Sequence, residues 1–259
     1  VWGITVGSDR NVYFSSTKDG ILYRYKPTEK IMETLGANPT GDKFIWELEA
    51  SSDGKVYGAT FPQGKVFEYD ILSSSFNDLG RLKETEQYAR GIGVTDDSIY
   101  AGTGAVAHLY KLNRKTLEKE EIPTAFTGQT TMISNVWEYG NRLFVTTGLN
   151  VEVLDASTYE SVGSFVSNGF VSPPSPYDEN IVYFEDRESK QLWQYDMEAD
   201  KAERTGNGID YPITQTKTMK WLEVEGVQQL AMLSSRNEYV LYNPQTGIAK
   251  TVIPEVEQI

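Results

Sequence analysis

Short runs in which apolar and polar residues alternate recur along the whole chain, and most are five or six residues long. In KVYGATFPQGKVFEYD, residues 55–70, two runs rich in β-branched and aromatic residues flank the turn-forming residues 60–64. Alternation with a period of two is typical of half-buried β-strands, whereas an amphipathic helix has a period of 3.6 residues. No run has the helical period, so the pattern predicts an all-β chain of short strands and tight turns.

The run VFEYD has counterparts at a near-constant interval: LYRYK, LYKLN, VEVLD, LWQYD and YVLYN. Their fourth residues are Tyr25, Tyr69, Leu112, Leu154, Tyr195 and Tyr242, which lie 44, 43, 42, 41 and 47 residues apart. In five of the six an Asp or Asn follows, which we interpret as a turn former. Another run precedes each by roughly thirteen residues, and weaker runs lie on both sides, so each unit contains four predicted strands, A to D.

Four strands repeated at this period predict a β-propeller. We expect a single domain over residues 1–259, with blades at approximately 1–44, 45–89, 90–132, 133–174, 175–219 and 220–259. The first unit begins with strand A and the last ends with strand D, so no strand exchange is predicted to close the ring. Either the ring closes at six blades, which we favour for this chain, or the native ring has seven or eight.

The segment IWELEASSDGKVYGATFPQGKVFEYD resembles the blades of secreted bacterial propeller domains from multidomain proteins associated with polysaccharide breakdown. It is similar, more loosely, to streptogramin lyase and SMP-30/gluconolactonase propellers. The resemblance implies an extracellular or cell-surface location. The metal-binding Glu-Gly-Pro segment of the gluconolactonase family has no counterpart here, and the lyases require more than one histidine, whereas His108 is the single histidine of this chain.

Charge and composition exclude several classes of function. The formal net charge of −13 repels a phosphate backbone, so we expect neither nucleic-acid nor anionic-lipid partners. The absence of cysteine excludes thiolate chemistry and disulfides, and no apolar run is long enough to insert in a membrane as a helix. We expect no cofactor and no metal site. The chain opens on VWGITVGSD without an initiator Met, so we expect it to be part of a longer polypeptide with other domains.

The predicted ligand site lies where the starts of strands A and the B–C turns converge at one mouth of the propeller. Trp2, Trp46 and Arg90 are predicted at equivalent positions in strand A, with Lys220 or Trp221 as their counterpart in the sixth blade. The residues predicted to bind a ligand are Trp2, Trp46, Phe61, Gln63, Lys65, Arg187 and Arg236. Indole rings stack on sugar rings and Arg or Lys pairs with acidic groups, which favours saccharide recognition. Alternatively, Trp2 and Trp46 simply pack against the neighbouring blade.

Three hypotheses of function follow. The leading hypothesis is a non-catalytic binding module of a larger extracellular bacterial protein, recognising carbohydrate or a protein partner at the mouth. The alternatives are a protein-interaction scaffold and a polysaccharide lyase that acts on uronates by β-elimination. In the lyase, Arg90 neutralises the carboxylate while His108 and Tyr88 transfer protons.

Overall fold

The computed structural model describes residues 2–16, 18–205, 216–234 and 238–253, and each regular element in those ranges is a β-strand. We number the strands in chain order. They are β1 Ile4–Val6, β2 Val12–Ser15, β3 Ile21–Lys26, β4 Ile31–Ala37, β5 Phe44–Ala50, β6 Lys55–Phe61, β7 Lys65–Asp70, β8 Ser75–Arg81, β9 Tyr88–Val94, β10 Ser98–Gly104, β11 Leu109–Asn113, β12 Lys119–Ile122, β13 Asn135–Tyr139, β14 Arg142–Thr147, β15 Asn150–Asp155, β16 Ser161–Val171, β17 Ile181–Asp186, β18 Leu192–Asp196, β19 Lys201–Arg204, β20 Thr216–Val224, β21 Val227–Ser234, β22 Tyr239–Asn243 and β23 Ile248–Ile253.

Consecutive strands pair antiparallel into four-stranded units, as the repeat predicts. The first three units are β1–β4, β5–β8 and β9–β12, and the sixth is β20–β23. Strands β13 to β19 form one continuous sheet that contains the fourth and fifth units. Strand β16 belongs to both units, because its first part pairs with β15 and its last part with β17.

The start of the fifth unit differs from the prediction. Its first strand is the end of β16, where Ser167 pairs with Asp186 and Val171 with Phe184, rather than a strand starting near Ser175. The chain stays extended through Asn168 and Gly169 instead of turning there. The strand ends before Pro173 and Pro174 because proline has no N–H to donate to a β-ladder.

The sixth unit also begins earlier than predicted. Its first strand starts at Thr216, and Lys220 lies in the middle of that strand, paired with Ala231. The indole N–H of Trp221 donates to the Pro173 carbonyl at 3.0 Å, and its ring packs edge-on against Tyr183. Neither Lys220 nor Trp221 therefore begins strand A.

The chain divides into two compact units, Val1–Glu138 and Tyr139–Ile259. In each of these compact units, buried apolar side chains of neighbouring sheets pack together into a core. In the compact unit Val1–Glu138, Tyr57 and Val66 of the second sheet pack with Ile92, Ile99 and Tyr110 of the third sheet. In the compact unit Tyr139–Ile259, a corresponding cluster contains Tyr183, Leu192, Met219, Leu230 and Tyr242. The closure of the predicted ring at six blades stays a prediction.

Glycines let the first strands of neighbouring sheets approach each other closely. A Cβ on Gly3 of the chain before β1 would lie 2.9 Å from a side-chain carbon of Leu48 in β5. A Cβ on Gly93 of β9 would lie 2.4 Å from the carbonyl oxygen of Val136 in β13. Only a residue without a Cβ fits at such a backbone approach.

The Asp and Asn residues after the third strand form turns, as predicted. The Asp70 carboxylate accepts hydrogen bonds from the backbone N–H groups of Leu72 and Ser73, at 2.8 and 3.0 Å. Corresponding bonds to the second or third residue onward are made by Asn113, Asp155, Asp196 and Asn243. These side chains replace a backbone acceptor in the tight turn.

An arginine after β11 joins the third sheet to the second. The Arg114 guanidinium donates to both carboxylate oxygens of Asp53, at 2.6 and 2.8 Å, to the Tyr57 hydroxyl at 2.9 Å and to two carbonyls of its own sheet. Its side chain is 7% exposed. In the second compact unit, Arg142 makes a similar two-point contact with Asp200 at 2.6 and 2.8 Å.

The described ranges contain no helix that is long and apolar enough to cross a membrane. Within the same ranges, no group of three or more His, Asp or Glu side chains is arranged to hold a metal ion.

Candidate functional site

Five aromatic side chains of the first three sheets pack into one cluster at the start of β5, the end of β6 and the start of β9. We call this set the aromatic cluster: Trp2, Phe44, Trp46, Phe61 and Tyr88. All five belong to the compact unit Val1–Glu138. Three of them, Trp2, Trp46 and Phe61, are among the residues predicted to bind a ligand, and the structure brings them together.

Ring contacts run continuously through the aromatic cluster. The Phe61 and Tyr88 rings stack with centroids 4.3 Å apart, and Phe44 stacks on Trp46 at 6.0 Å. Trp2 stands edge-on to Trp46 at 4.5 Å and is 51% exposed. Aromatic pairs in these geometries stabilise each other beyond simple burial, so the cluster presents a rigid surface.

The local register of β5 and β9 explains how Trp46 and Arg90 reach this surface. In β5, Ile45 pairs with Thr60 and Glu47 with Ala59, so Trp46 is the extra residue of a β-bulge. In β9, Ala89 pairs with Thr103 and Ile92 with Ala101, which places Arg90 at the corresponding bulge. A bulge redirects the side chain of its extra residue. The backbone of β20 has a bulge at the same place, because Thr216 pairs with Ser234 and Thr218 with Leu233.

Two buried carboxylates position the loops beside the aromatic cluster. Asp42, which precedes β5, accepts hydrogen bonds from the Thr60 hydroxyl at 2.7 Å and from the backbone N–H of Gln63 at 3.1 Å. Glu86, which precedes β9, accepts one from the backbone N–H of Val106 at 2.9 Å. In both sheets the chain entering the first strand therefore fixes the turn between the second and third strands.

The Arg90 guanidinium lies over Trp46, with its central carbon 5.3 Å from the ring centroid. Its Nη1 is 3.9 Å from the Oε2 oxygen of Glu47, a distance too long for a hydrogen bond. That oxygen is buried and has no hydrogen-bond partner in the described part of the chain. Burial raises the pKa of the Glu47 carboxyl to about 8, and the nearby Glu49 adds to the rise, against the opposing charge of Arg90 and a backbone hydrogen bond from Ile92.

Two other predicted ligand-binding residues lie next to the aromatic cluster. Gln63 is exposed in the turn that follows Phe61, and its side-chain amide donates to the Thr40 carbonyl at 3.4 Å. Lys65 is the first residue of β7, and its ammonium pairs with Asp78 at 2.9 Å. The charge of Lys65 is therefore already matched within the second sheet.

His108 belongs to a different network from the other two predicted catalytic residues. Its Nδ1 lies 2.6 Å from one carboxylate oxygen of Glu121, and the other oxygen accepts a hydrogen bond from the Tyr110 hydroxyl at 3.0 Å. Burial pushes the pKa of Glu121 up, but these two hydrogen bonds hold it below its usual value. In the ranges that the structure describes, no hydrogen bond, ion pair or ring contact joins His108 to Tyr88 or Arg90.

The remaining predicted ligand-binding residues lie elsewhere in the chain. Arg187 is an exposed residue directly after β17, in the compact unit Tyr139–Ile259. Arg236 lies outside the described residues.

Sequence reasoning missed four participants of the site: Phe44, Asp42, Glu47 and Glu86. Phe44 precedes Trp46 by two residues, and alternation along the strand could have placed it on the same face. Glu47, Asp42 and Glu86 gave no comparable signal, since a carboxylate in or before a strand usually reads as solvated surface. Their roles depend on burial that the pattern along one strand does not reveal.

Comparison with known proteins finds no matching family model and no matching curated protein. Solved structures with a similar fold do exist. One is a chain of a crystal structure of the mitotic checkpoint complex, with a TM-score of 0.78 and 11% identity over 100% of this chain and 78% of that one. Another is the Pan2 WD40 domain of Neurospora crassa, with a TM-score of 0.72 and 11% identity over 98% of this chain and 79% of that one. At this identity the similarity concerns the fold, and together with the recurring four-stranded sheets it shows that the chain has a β-propeller fold.

Proposed function

We propose that this chain is a non-catalytic binding module that recognises a carbohydrate at the aromatic cluster. The observation that carries the proposal is the half-exposed indole of Trp2 standing against Trp46, with three further aromatic rings behind it. A rigid aromatic surface of this kind offers a flat apolar face for a sugar ring at low entropic cost. Exposed amides of Gln63 and Gln87 border the cluster and can donate to sugar hydroxyls.

The arrangement favours binding over the lyase chemistry considered from the sequence. General acid–base catalysis requires the acid and base to reach the same reacting centre. Tyr88 belongs to the aromatic cluster and Arg90 lies over Trp46, whereas the His108 ring is engaged with Glu121 and makes no contact with either residue in the described ranges. Incubation of the protein with uronate polysaccharides, followed by absorbance of unsaturated uronates, tests the lyase directly. Product formation that disappears in H108A and Y88F would replace our proposal with that alternative.

Binding to an array of glycans, followed by calorimetry with the best ligand, tests the proposal. We expect W2A to lower the affinity by about tenfold or more, since Trp2 contributes exposed stacking surface. The matched control is W193A in β18, a partly exposed tryptophan outside the aromatic cluster, which leaves the affinity unchanged. Equal affinities for W2A and the wild type would move the site away from this cluster, and no binding to any glycan would contradict carbohydrate recognition.

A protein partner is the second candidate. Trp, Tyr and Arg are the residues that most often dominate binding at protein interfaces, and Trp2, Tyr88 and Arg90 lie together here. Co-purification of a partner that W2A and R90A both release would favour this alternative. In either case we propose that the module works as part of a larger extracellular or cell-surface polypeptide.

A further inference from the structure

The guanidinium of Arg90 lies against the Trp46 ring and makes no hydrogen bond to any other residue that the structure describes. It lies over the Trp46 ring and is 28% exposed, and its nearest ion-pair contact in the described residues is the 3.9 Å approach to Glu47. A guanidinium carries five N–H donors in a rigid fork that matches a carboxylate. By contrast, Arg114 uses its fork on Asp53, Tyr57 and two carbonyls. Arg90 is therefore oriented by its ring contact while its donors are left for another acceptor.

Glu47 does not neutralise Arg90 under ordinary conditions. Its Oε2 oxygen is buried without a hydrogen-bond partner, and burial keeps its carboxyl protonated below about pH 8. The charged and titratable groups that bear on it are Arg90 on β9 and Glu49 on its own strand. The indole N–H of Trp46 is likewise buried without a partner in the described residues. The polar groups around Arg90 thus have unused hydrogen-bonding capacity.

We propose that Arg90 receives a carboxylate of the ligand, and that the saccharide bound at the aromatic cluster is a uronate-containing one. This inference depends on the proposed function. It assigns the Arg90 fork to the carboxylate and the indole of Trp2, which like Arg90 contacts Trp46, to a sugar-ring face. A charge-assisted, two-point contact of this kind selects a planar carboxylate over a neutral hydroxymethyl group or an ester. It also gives a protein with a net charge of −13 a local means of binding an anion.

Glu47 makes this recognition dependent on pH. When the Glu47 carboxyl is neutral, it does not offset the positive charge of Arg90, which then attracts the carboxylate of the ligand. When the carboxyl ionises, it competes for Arg90 and repels the ligand's carboxylate. Affinity for a uronate is therefore expected to fall as the pH rises from 6.5 to 9.5, and replacement of Glu47 by glutamine removes this fall.

Calorimetry with paired ligands tests the proposal. The ligands are tetrasaccharides of galacturonate, glucuronate and mannuronate, each compared with its methyl ester, which has the same ring and no charge. We expect the wild type at pH 6.5 to bind at least one acid about tenfold or more tightly than its ester, and R90Q to lose that preference while keeping the affinity for the ester. The control R10Q makes the same change of charge at an exposed arginine in the turn between β1 and β2, and it is expected to keep the preference.

The outcomes separate this inference from the proposed function. Equal affinity for acid and ester, or an acid preference that survives in R90Q, overturns the role of Arg90 and leaves carbohydrate recognition standing. Binding of neither acids nor esters, together with binding of a neutral glycan, also overturns the inference alone. Binding of no saccharide overturns both. Because R90Q also removes the contact with Trp46, R90K serves as a second variant, and it is expected to keep part of the acid preference while folding like the wild type.

Discussion

Arg114 and Asp53 are joined by two hydrogen bonds, 2.6 and 2.8 Å long, between the third and second sheets of the chain. Asp53 lies in the turn after β5, and Arg114 follows β11, so sixty-one residues of sequence separate the partners. Burial raises the pKa of the Asp53 carboxyl, but hydrogen bonds from Ser51 and Arg114 bring it below its ordinary value. The pair thus links two sheets by a charge-assisted contact whose arginine is almost completely buried.

Removal of this arginine is expected to destabilise the protein. R114A leaves the Tyr57 hydroxyl and the Asp53 carboxylate without their shared donor, and we expect the free energy of unfolding to fall by about 2–4 kcal/mol in urea titrations. R204A, at an exposed arginine in β19, is the control and should change it by less than about 0.5 kcal/mol. A loss for R114A no larger than for the control would contradict a structural role for this contact.

Glu47 is expected to make the protein less stable as the pH rises. Its pKa in the folded protein is about 8, against 4.5 as the reference value, so the folded state holds the proton more tightly. The stability from this group is fully present below the reference pKa and is lost as the pH rises through about 8. E47Q should therefore match the wild type at pH 4.5 and exceed its free energy of unfolding by about 2–4 kcal/mol at pH 9.

Denaturant titrations at both pH values measure this difference. E84Q, at an exposed carboxyl after β8, should follow the wild type across the whole range. Parallel pH profiles for E47Q and the wild type would show that folding does not raise the pKa of Glu47.

The Asp42 carboxylate is expected to position the turn that carries Phe61 and Gln63. D42A removes the acceptor for the Thr60 hydroxyl and the Gln63 backbone N–H, both of which lie in the second sheet. We expect the unfolding free energy to fall by about 1–3 kcal/mol and the affinity for the ligand to fall with it. D97A, at an exposed turn residue, is the control for both measurements. An unchanged affinity in folded D42A would mean that the turn does not contribute to binding.

Gly93 is expected to be irreplaceable even by alanine. An added Cβ would lie 2.4 Å from the Val136 carbonyl oxygen, and both groups belong to the backbone of closely packed strands. We expect G93A to lower the unfolding free energy by about 2 kcal/mol or more, measured by thermal and urea unfolding. G128N is the control, because that glycine has a left-handed backbone that Asn tolerates, with no atom within 4 Å of an added Cβ. Similar stability for both variants would show that the strands can move apart at little cost.

Much of the fold follows from local signals in the sequence. The period of two predicts strands, the interval between Tyr69 and its counterparts predicts the repeated unit, and Asp70 marks a turn that its own side chain forms. The strands and turns depend on neighbours within a few residues of one another, and the repeated unit follows from their regular spacing along the chain. The start of the fifth unit could not be predicted in this way, since Asn168 and Gly169 resemble a turn but remain within β16.

The candidate site could be predicted only in part. The equivalence of Trp46 and Arg90 follows from counting along the repeat, and the two bulges confirm it. The different partners that His108 and Tyr88 take in the described ranges could not be predicted, because a repeat places loops on one face without specifying which partner each side chain takes. His108 is matched by Glu121 on the neighbouring strand β12, a pairing set by strand register.

Strand β16 also affects how the protein unfolds. It completes one four-stranded unit and begins the next without an intervening loop, so the backbone bonds of β15 and β17 depend on the same eleven residues. Units joined by loops can lose their structure one at a time, whereas a shared strand forces two of them to do so together. The amides of β15 and β17 should therefore exchange with solvent as one cooperative block, and the fourth and fifth units form a single element of unfolding.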